Sequence, residues 1–200
     1  ARGYTEIMSN SLTKAAYYEG LASYKAENCV KILNPLSNDL NVMRQTLLFN
    51  AMEAVQLNVN HRNANLKLYE FGNCYFYNEE ARNEESATAP YTENYRLAIA
   101  VTGLATPQSW NAKAEQASFY TLRAQVELLL RRFGLDIYAL RTESLDSDLF
   151  GDAVELYVNN KPFVQMGQVN AKICKAFDLK QDVFFAEIDF DMLLKATRKH

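Results

Sequence analysis

Glycine, proline, cysteine and histidine are all scarce in this chain, at 7, 4, 3 and 2 of 200 residues. So little Gly and Pro beside 48% apolar residues excludes a linker-like or disordered chain. Gly3, Gly20, Gly72, Gly103, Gly134, Gly151 and Gly167 are too dispersed for a phosphate-cradling loop, which rules out the P-loop and dinucleotide-binding folds. Cys29, Cys74 and Cys174 are odd in number and far apart. Neither a disulfide framework nor a Cys-x-x-Cys metal or redox site can be drawn from them. A Ser-His-Asp or Cys-His nucleophile would have to use His61, because the other histidine, His200, ends the chain. His61 sits in the polar stretch Asn60-His61-Arg62-Asn63 and reads as a helix end, where a cation favours the dipole.

Strong charge of either sign is missing too. With 21 basic and 24 acidic residues the net charge is −3, which argues against a surface that grips nucleic acid through clustered Lys and Arg. The one dense basic group is Lys195, Arg198 and Lys199. No apolar run approaches the roughly 20 residues of a membrane-spanning helix, and the N-terminus lacks a signal peptide's apolar core. The expectation is one globular domain over residues 1–200, in a reducing cytoplasmic compartment and with no membrane partner. A start at Ala1 without Met reads as a fragment of a longer chain.

What is present is a series of well-marked elements. Tyr4 to Leu12 reads as extended chain after a truncated helix, and Val30 to Leu33 as a short strand ended by Asn34-Pro35. Ser37, Asn38 and Asp39 offer N-caps for a helix in which Met43, Leu47, Ala51, Ala54, Val55 and Val59 recur at helical spacing through Asn60. Leu66 to Tyr77 is aromatic-rich and strand-like, with Gly72 where a bulge or bend would fit. Asn78 to Asn94 reads as a solvated, acidic loop, and Arg96 to Leu104 as an apolar strand. A helix with Phe119, Leu122, Val126, Leu129, Leu130 and Phe133 in phase is stopped by Gly134. Leu135 to Arg141, Ala153 to Val158 and Phe163 to Val169 read as strands, the last two joined by an Asn159-Asn160 turn. A short helix through Lys172 to Phe177, a strand Val183 to Phe190 and a closing helix from Asp191 follow. Hairpin-linked strands with a few long helices predict an α+β fold around a largely antiparallel sheet.

One constellation could carry chemistry. Glu187, Asp189 and Asp191 alternate along the last strand, and three carboxylates on one sheet face could hold Mg²⁺. The simpler reading, a polar face with Asp189 or Asp191 capping the closing helix, is preferred. Arg44 and Glu70 stand alone in apolar settings, as a buried ion pair or as substrate contacts, with the structural role favoured. Trp110 beside Pro107 reads as a packing anchor.

The residues Gly3-Tyr4-Thr5-Glu6, Val30 through Ser37 with Met43-Arg44 and Leu47-Leu48, and Leu68 through Gly72 form the first half of a recognisable pattern. Phe119-Tyr120, Leu122, Val126-Glu127 and Gly134, then Ala176 through Leu179 and Val183 through Glu187, complete it. On these residues, which span nearly the whole chain, the sequence strongly resembles the C-terminal core of the phenylalanyl-tRNA synthetase beta subunit. The spacing from Asn34-Pro35-Leu36-Ser37 to Met43-Arg44 is the most specific part. One departure follows Gly167, where Asn170-Ala171 replaces the family's usual His-Pro pair.

The resemblance implies a class II aminoacyl-tRNA synthetase-like fold inside an enzyme that attaches phenylalanine to its tRNA, with ATP and Mg in the whole enzyme. It also implies that the catalytic chemistry belongs to the alpha subunit, whose fold uses arginines of motifs 2 and 3 on the triphosphate. Here Phe76 and Tyr77 fall at the first of those arginines and Met192 near the second, and the nearest arginines, Arg82 and Arg198, lie outside the expected elements. No catalytic or cofactor-binding residue is therefore assigned, and the isolated domain is expected to be inactive. The implied role is pairing with the alpha subunit in an (αβ)2 heterotetramer that meets tRNA(Phe) as a whole. Tyr4, Glu6, Met8, Met43, Arg44 and Leu47 are the candidate interface residues. The alternatives are a small-ligand or metal-binding module in the retained cleft, and a local tRNA-contacting surface around Lys195.

Overall fold

β-branched and aromatic runs lay down a seven-stranded sheet in this computed structural model, which describes residues 3–111 and 113–197. In chain order the strands are β1 (Thr5–Glu6), β2 (Leu12–Thr13), β3 (Val42–Met43), β4 (Leu66–Tyr77), β5 (Tyr91–Thr102), β6 (Leu104–Thr106), β7 (Glu115–Gln116), β8 (Arg141–Ser144), β9 (Phe150–Val158), β10 (Lys161–Val169) and β11 (Val183–Asp189). The helices are α1 (Leu48–Asn60), α2 (Phe119–Arg132), α3 (Ala171–Ala176) and α4 (Phe190–Thr197). The large sheet runs β1-β4-β5-β11-β10-β9-β8 and is antiparallel except where β1 lies parallel to β4. β2–β3 and β6–β7 form two small separate ladders.

Both faces of the sheet are covered, which explains why Leu97 through Thr102 is buried without alternation. Leu97, Ile99, Val101, Phe184, Ala186 and Ile188 point to one side, where Leu122, Val126 and Leu130 of α2 and Leu193 of α4 cover them. Ala98, Ala100, Val183 and Phe185 point to the other, beneath Leu48, Met52 and Val55 of α1. At about 25 cal/mol per Å², each of the buried Leu, Ile, Val, Phe and Met side chains among these contributes roughly 1.5–3 kcal/mol. Small alanines on β5 let α1 lie close.

The α+β class, the antiparallel sheet and most elements match expectation. β4 and α2 coincide with their predicted spans, and Asn159 and Asn160 both take positive φ, at 50° and 60°, as a tight hairpin between β9 and β10 requires. Several boundaries differ. The first long helix begins at Leu48, not after Ser37, Asn38 and Asp39, because Arg44, Gln45 and Thr46 are held by buried hydrogen bonds before the helix starts. Val30 to Leu33 contributes only a bridge from Lys31 to Val42, since the chain then leaves the domain with Leu33 and Leu36 at 97% and 98% exposure. β5 begins at Tyr91 because residues 91–95 pair with 73–77 in a hairpin arm whose outer part is solvated, so burial leaves no pattern there. Leu135 to Arg141 holds a 3-10 turn, with the strand displaced to Arg141–Ser144. Trp110 is 96% exposed and anchors no packing.

Gly72 marks no bulge either. β4 pairs with β5 in unbroken register there, and the glycine serves a close approach: a Cβ at 72 would stand 2.2 Å from Nη2 of Arg44.

Candidate functional site

The register of the sheet assembles a polar row beside the core of the α1 side. Glu70 and Glu187 both lie opposite Ala98, Glu187 lies opposite Gln165, and Gln165 opposite Glu155. One step outward, Arg96 lies between Gly72 and Asp189. Period-two alternation places these side chains on the face that also carries Val183 and Phe185.

Arg96 and Glu187 form the centre. Nη1 of Arg96 is 3.3 Å from Oε2 of Glu187, donates to the Tyr24 oxygen at 2.9 Å and to the Gln45 carbonyl at 3.4 Å, while Nε donates to Oδ1 of Asn94 at 2.5 Å. The guanidinium also faces the rings of Phe76 and Tyr24, 5.1 and 5.9 Å from their centroids. Burial works against this charge, but the Tyr24 oxygen and the Glu187 carboxylate hold it above its usual range. Burial also pushes the Tyr24 phenol well up.

Glu187 accepts from the Thr46 hydroxyl at 2.9 Å and the Leu47 N–H at 2.8 Å, with the Tyr24 hydroxyl 3.4 Å away. Leu47 is the N-cap residue of α1 and has no side-chain cap of its own, so a carboxylate from β11 fills that place. A cleft of about 190 Å³ opens beside the pair, walled by Tyr24, Phe163, Gln165 and Asp189. That is below the roughly 300–1,000 Å³ of ordinary small-molecule sites. Larger hollows of about 550 and 670 Å³, between Lys67 and Gln125 and at the outer end of the β4–β5 hairpin, are lined by no buried charge.

A second ion pair lies farther along the same face. Nη1 of Arg44 is 3.2 Å from Oε1 of Glu70, both side chains are buried, and the Ser9 hydroxyl and N–H bond the same carboxylate. The favoured structural role for Arg44 and Glu70 is what the geometry serves, tying residues 9–10 to β4.

The three carboxylates of the predicted metal face do not converge. Alternation ends at Asp189 because the chain turns into α4 at Phe190. Asp189 accepts from the Met192 N–H at 2.9 Å and so caps α4, while Asp191 accepts from the Tyr95 N–H at 2.9 Å. Among the described residues, no group of three His, Cys, Asp or Glu side chains could hold a metal ion. His61 is the exposed C-cap of α1. The three cysteines are buried and free, and burial raises each thiol. Of the basic trio, Lys195 is exposed on α4, while Arg198 and Lys199 lie outside the described residues, as does His200.

Of the residues matched to the synthetase arginines, only Phe76 comes near the Arg96–Glu187 pair, its ring centroid 5.1 Å from the guanidinium. Tyr77 bonds Glu79 at the outer end of the hairpin, and Met192 packs into the core of the opposite face. The arginine that does occupy the cleft is Arg96, and antiparallel pairing rather than sequence proximity brings it opposite residue 72. Its sequence signal was a lone charge opening the apolar run Leu97 to Val101. Among the interface candidates, Arg44 and Leu47 are buried at 3% and 0% exposure, held by the Glu70 ion pair and the Glu187 bond. Met8 is 93% exposed, Glu6 is exposed, and Tyr4 and Met43 are half-buried.

A mostly antiparallel sheet, with a parallel edge strand and helices on both faces, defines the class II aminoacyl-tRNA synthetase fold. The pyrrolysyl-tRNA synthetase of Desulfitobacterium hafniense superposes with a TM-score of 0.68 at 12% identity, covering 96% of this chain and 63% of that one. The family model for the phenylalanyl tRNA synthetase beta chain CLM domain matches residues 1–190, and the chain belongs to that family. It is 45% identical over 197 residues to the phenylalanine--tRNA ligase beta subunit of Bacteroides fragilis and 37% over 199 residues to that of Porphyromonas gingivalis. These matches cover 98% and 99% of this chain, which spans 24% of the length of either relative.

Proposed function

We propose that this chain is a non-catalytic synthetase core that pairs with the alpha subunit of phenylalanine-tRNA ligase and helps build an (αβ)2 assembly. The carrying observation is the commitment of Arg96. Its guanidinium, the one positive charge lining the cleft among the described residues, is already neutralised by Glu187 and bonded to Tyr24, Asn94 and Gln45. A triphosphate needs unpaired cationic donors, and Mg²⁺ needs free carboxylate oxygens. Glu187 and Asp189 already accept hydrogen bonds from Thr46, Leu47 and Met192. The residues present therefore do not fit ATP or Mg²⁺, and no chemical step is assigned to them.

The remaining role is positional. The Arg44–Glu70 pair and Ser9 fix the segment that carries exposed Met8, which presents a set surface to a partner. Residues 1–200 act in this reading as one module of a longer cytoplasmic chain, and tRNA(Phe) meets the whole enzyme. Light scattering after size exclusion, with the chain mixed with purified alpha subunit, is the test. A stable complex with no ATP–pyrophosphate exchange by the chain alone is expected. Exchange above background from the chain alone would overturn the non-catalytic part, and absence of any complex the assembly part.

A further inference from the structure

The carboxylate of Glu187 sits where four donors converge from separate parts of the chain. The Leu47 N–H lies 2.8 Å away, the Thr46 hydroxyl 2.9 Å, Nη1 of Arg96 3.3 Å and the Tyr24 hydroxyl 3.4 Å. A backbone N–H at a helix start, two hydroxyls and a guanidinium are the groups with which proteins bind free carboxylates and other oxyanions. These donors do not depend on Glu187 for their places. Arg96 is held by Asn94 and the Gln45 carbonyl, Tyr24 by Arg96, and Thr46 by the Leu48 N–H that its hydroxyl accepts. The side chain also walls the open cleft, so its removal joins the donors to solvent.

We propose that Thr46, Leu47, Arg96 and Tyr24 form a preorganised carboxylate-binding site that the chain fills with its own Glu187. The cleft is thus closed to small anions by an internal ligand, not by loss of the groups that would bind them. Shortening the side chain to alanine converts it into a site for a small free carboxylate. Acetate is the fitting probe, since it carries the four heavy atoms that Glu187→Ala removes. This site stands apart from the assembly reading, because pairing with another subunit needs no open cleft.

The experiment uses the 200-residue chain and [13C]acetate, with binding followed by saturation-transfer NMR. E187A is expected to bind acetate with Kd on the order of millimolar, as four well-placed heavy atoms reach. The native chain, E187Q and the double variant E187A/R96M are expected to show no binding at that concentration. Equal binding by the native chain or by the double variant, or none by folded E187A, overturns the proposal. Should E187A be unfolded, acetate in the refolding buffer is expected to restore the native far-UV circular dichroism where chloride at equal ionic strength does not. Failure of that rescue also overturns it. Complex formation with the alpha subunit, measured on the native chain, reports separately on the assembly reading.

Discussion

Arg44 lies directly over the backbone of Gly72, and a methyl group at that glycine would meet its guanidinium at 2.2 Å. The contact explains an otherwise costly glycine inside a long strand. Gly72→Ala is expected to push Arg44 away from Glu70 and to destabilise the domain by about 2–4 kcal/mol. Urea unfolding of the two proteins checks this; a change below about 0.5 kcal/mol would show that Arg44 can move without loss.

The Arg44–Glu70 pair itself predicts strong coupling. Arg44→Met alone leaves a buried carboxylate with only Ser9 beside it and is expected to cost about 3–5 kcal/mol. Arg44→Met with Glu70→Leu is expected to cost clearly less than the sum of the single changes. A double-mutant cycle by denaturant unfolding measures the difference, and additive losses would rule out a coupled pair.

Asp148 gives the domain a pH dependence on the acid side. Burial alone would raise its carboxyl, but the Ser23 hydroxyl and the Ala22 and Ser23 N–H groups hold it below its usual range. Its contribution is therefore complete above the unfolded value of about 3.9 and disappears as pH falls through the depressed folded value. The stability gap between native protein and Asp148→Ala is expected to be constant from pH 7 to about 5 and to close below about 3.9. A gap that widens on acidification would contradict the direction.

At the β9–β10 turn both asparagines have positive φ. Asn160→Gly relieves that strain and is expected to stabilise by roughly 0.5 kcal/mol, whereas Asn159→Val is expected to destabilise by about 1–2 kcal/mol. Thermal unfolding resolves both, and equal effects of the two changes would count against the turn assignment.

Interface and core residues should separate cleanly. Met8→Asp is expected to weaken the complex with the alpha subunit about tenfold or more while leaving the unfolding midpoint unchanged. Leu47→Asp, in the core, is expected to unfold the domain. Unaltered affinity of the Met8 variant would move the contact surface elsewhere.

The sequence made the framework legible wherever burial was one-sided or a turn demanded special residues. The stripe of α2 with Gly134 after it and the Asn159-Asn160 pair left such marks. The start of α1 did not, because the chain leading into it is fixed by distant partners, Arg44 by Glu70 and Asn73 and the Leu47 N–H by Glu187. The outer half of β5 is solvated and carries no hydrophobic period. Glu187 reads from the sequence only as one of three carboxylates on one sheet face; its partners Tyr24, Thr46 and Arg96 are 163, 141 and 91 residues away, beyond any spacing argument.

That distance matters during synthesis. The cap of α1 comes from a residue made 140 positions later. At about 5–20 residues per second, the ribosome delivers Glu187 roughly 7–28 s after Leu47. Until then the first turn of α1 has no carboxylate at its amino end and Arg96 has no counter-charge. The early half of the domain thus stays unfinished until β11 arrives and closes it at both the helix and the cleft.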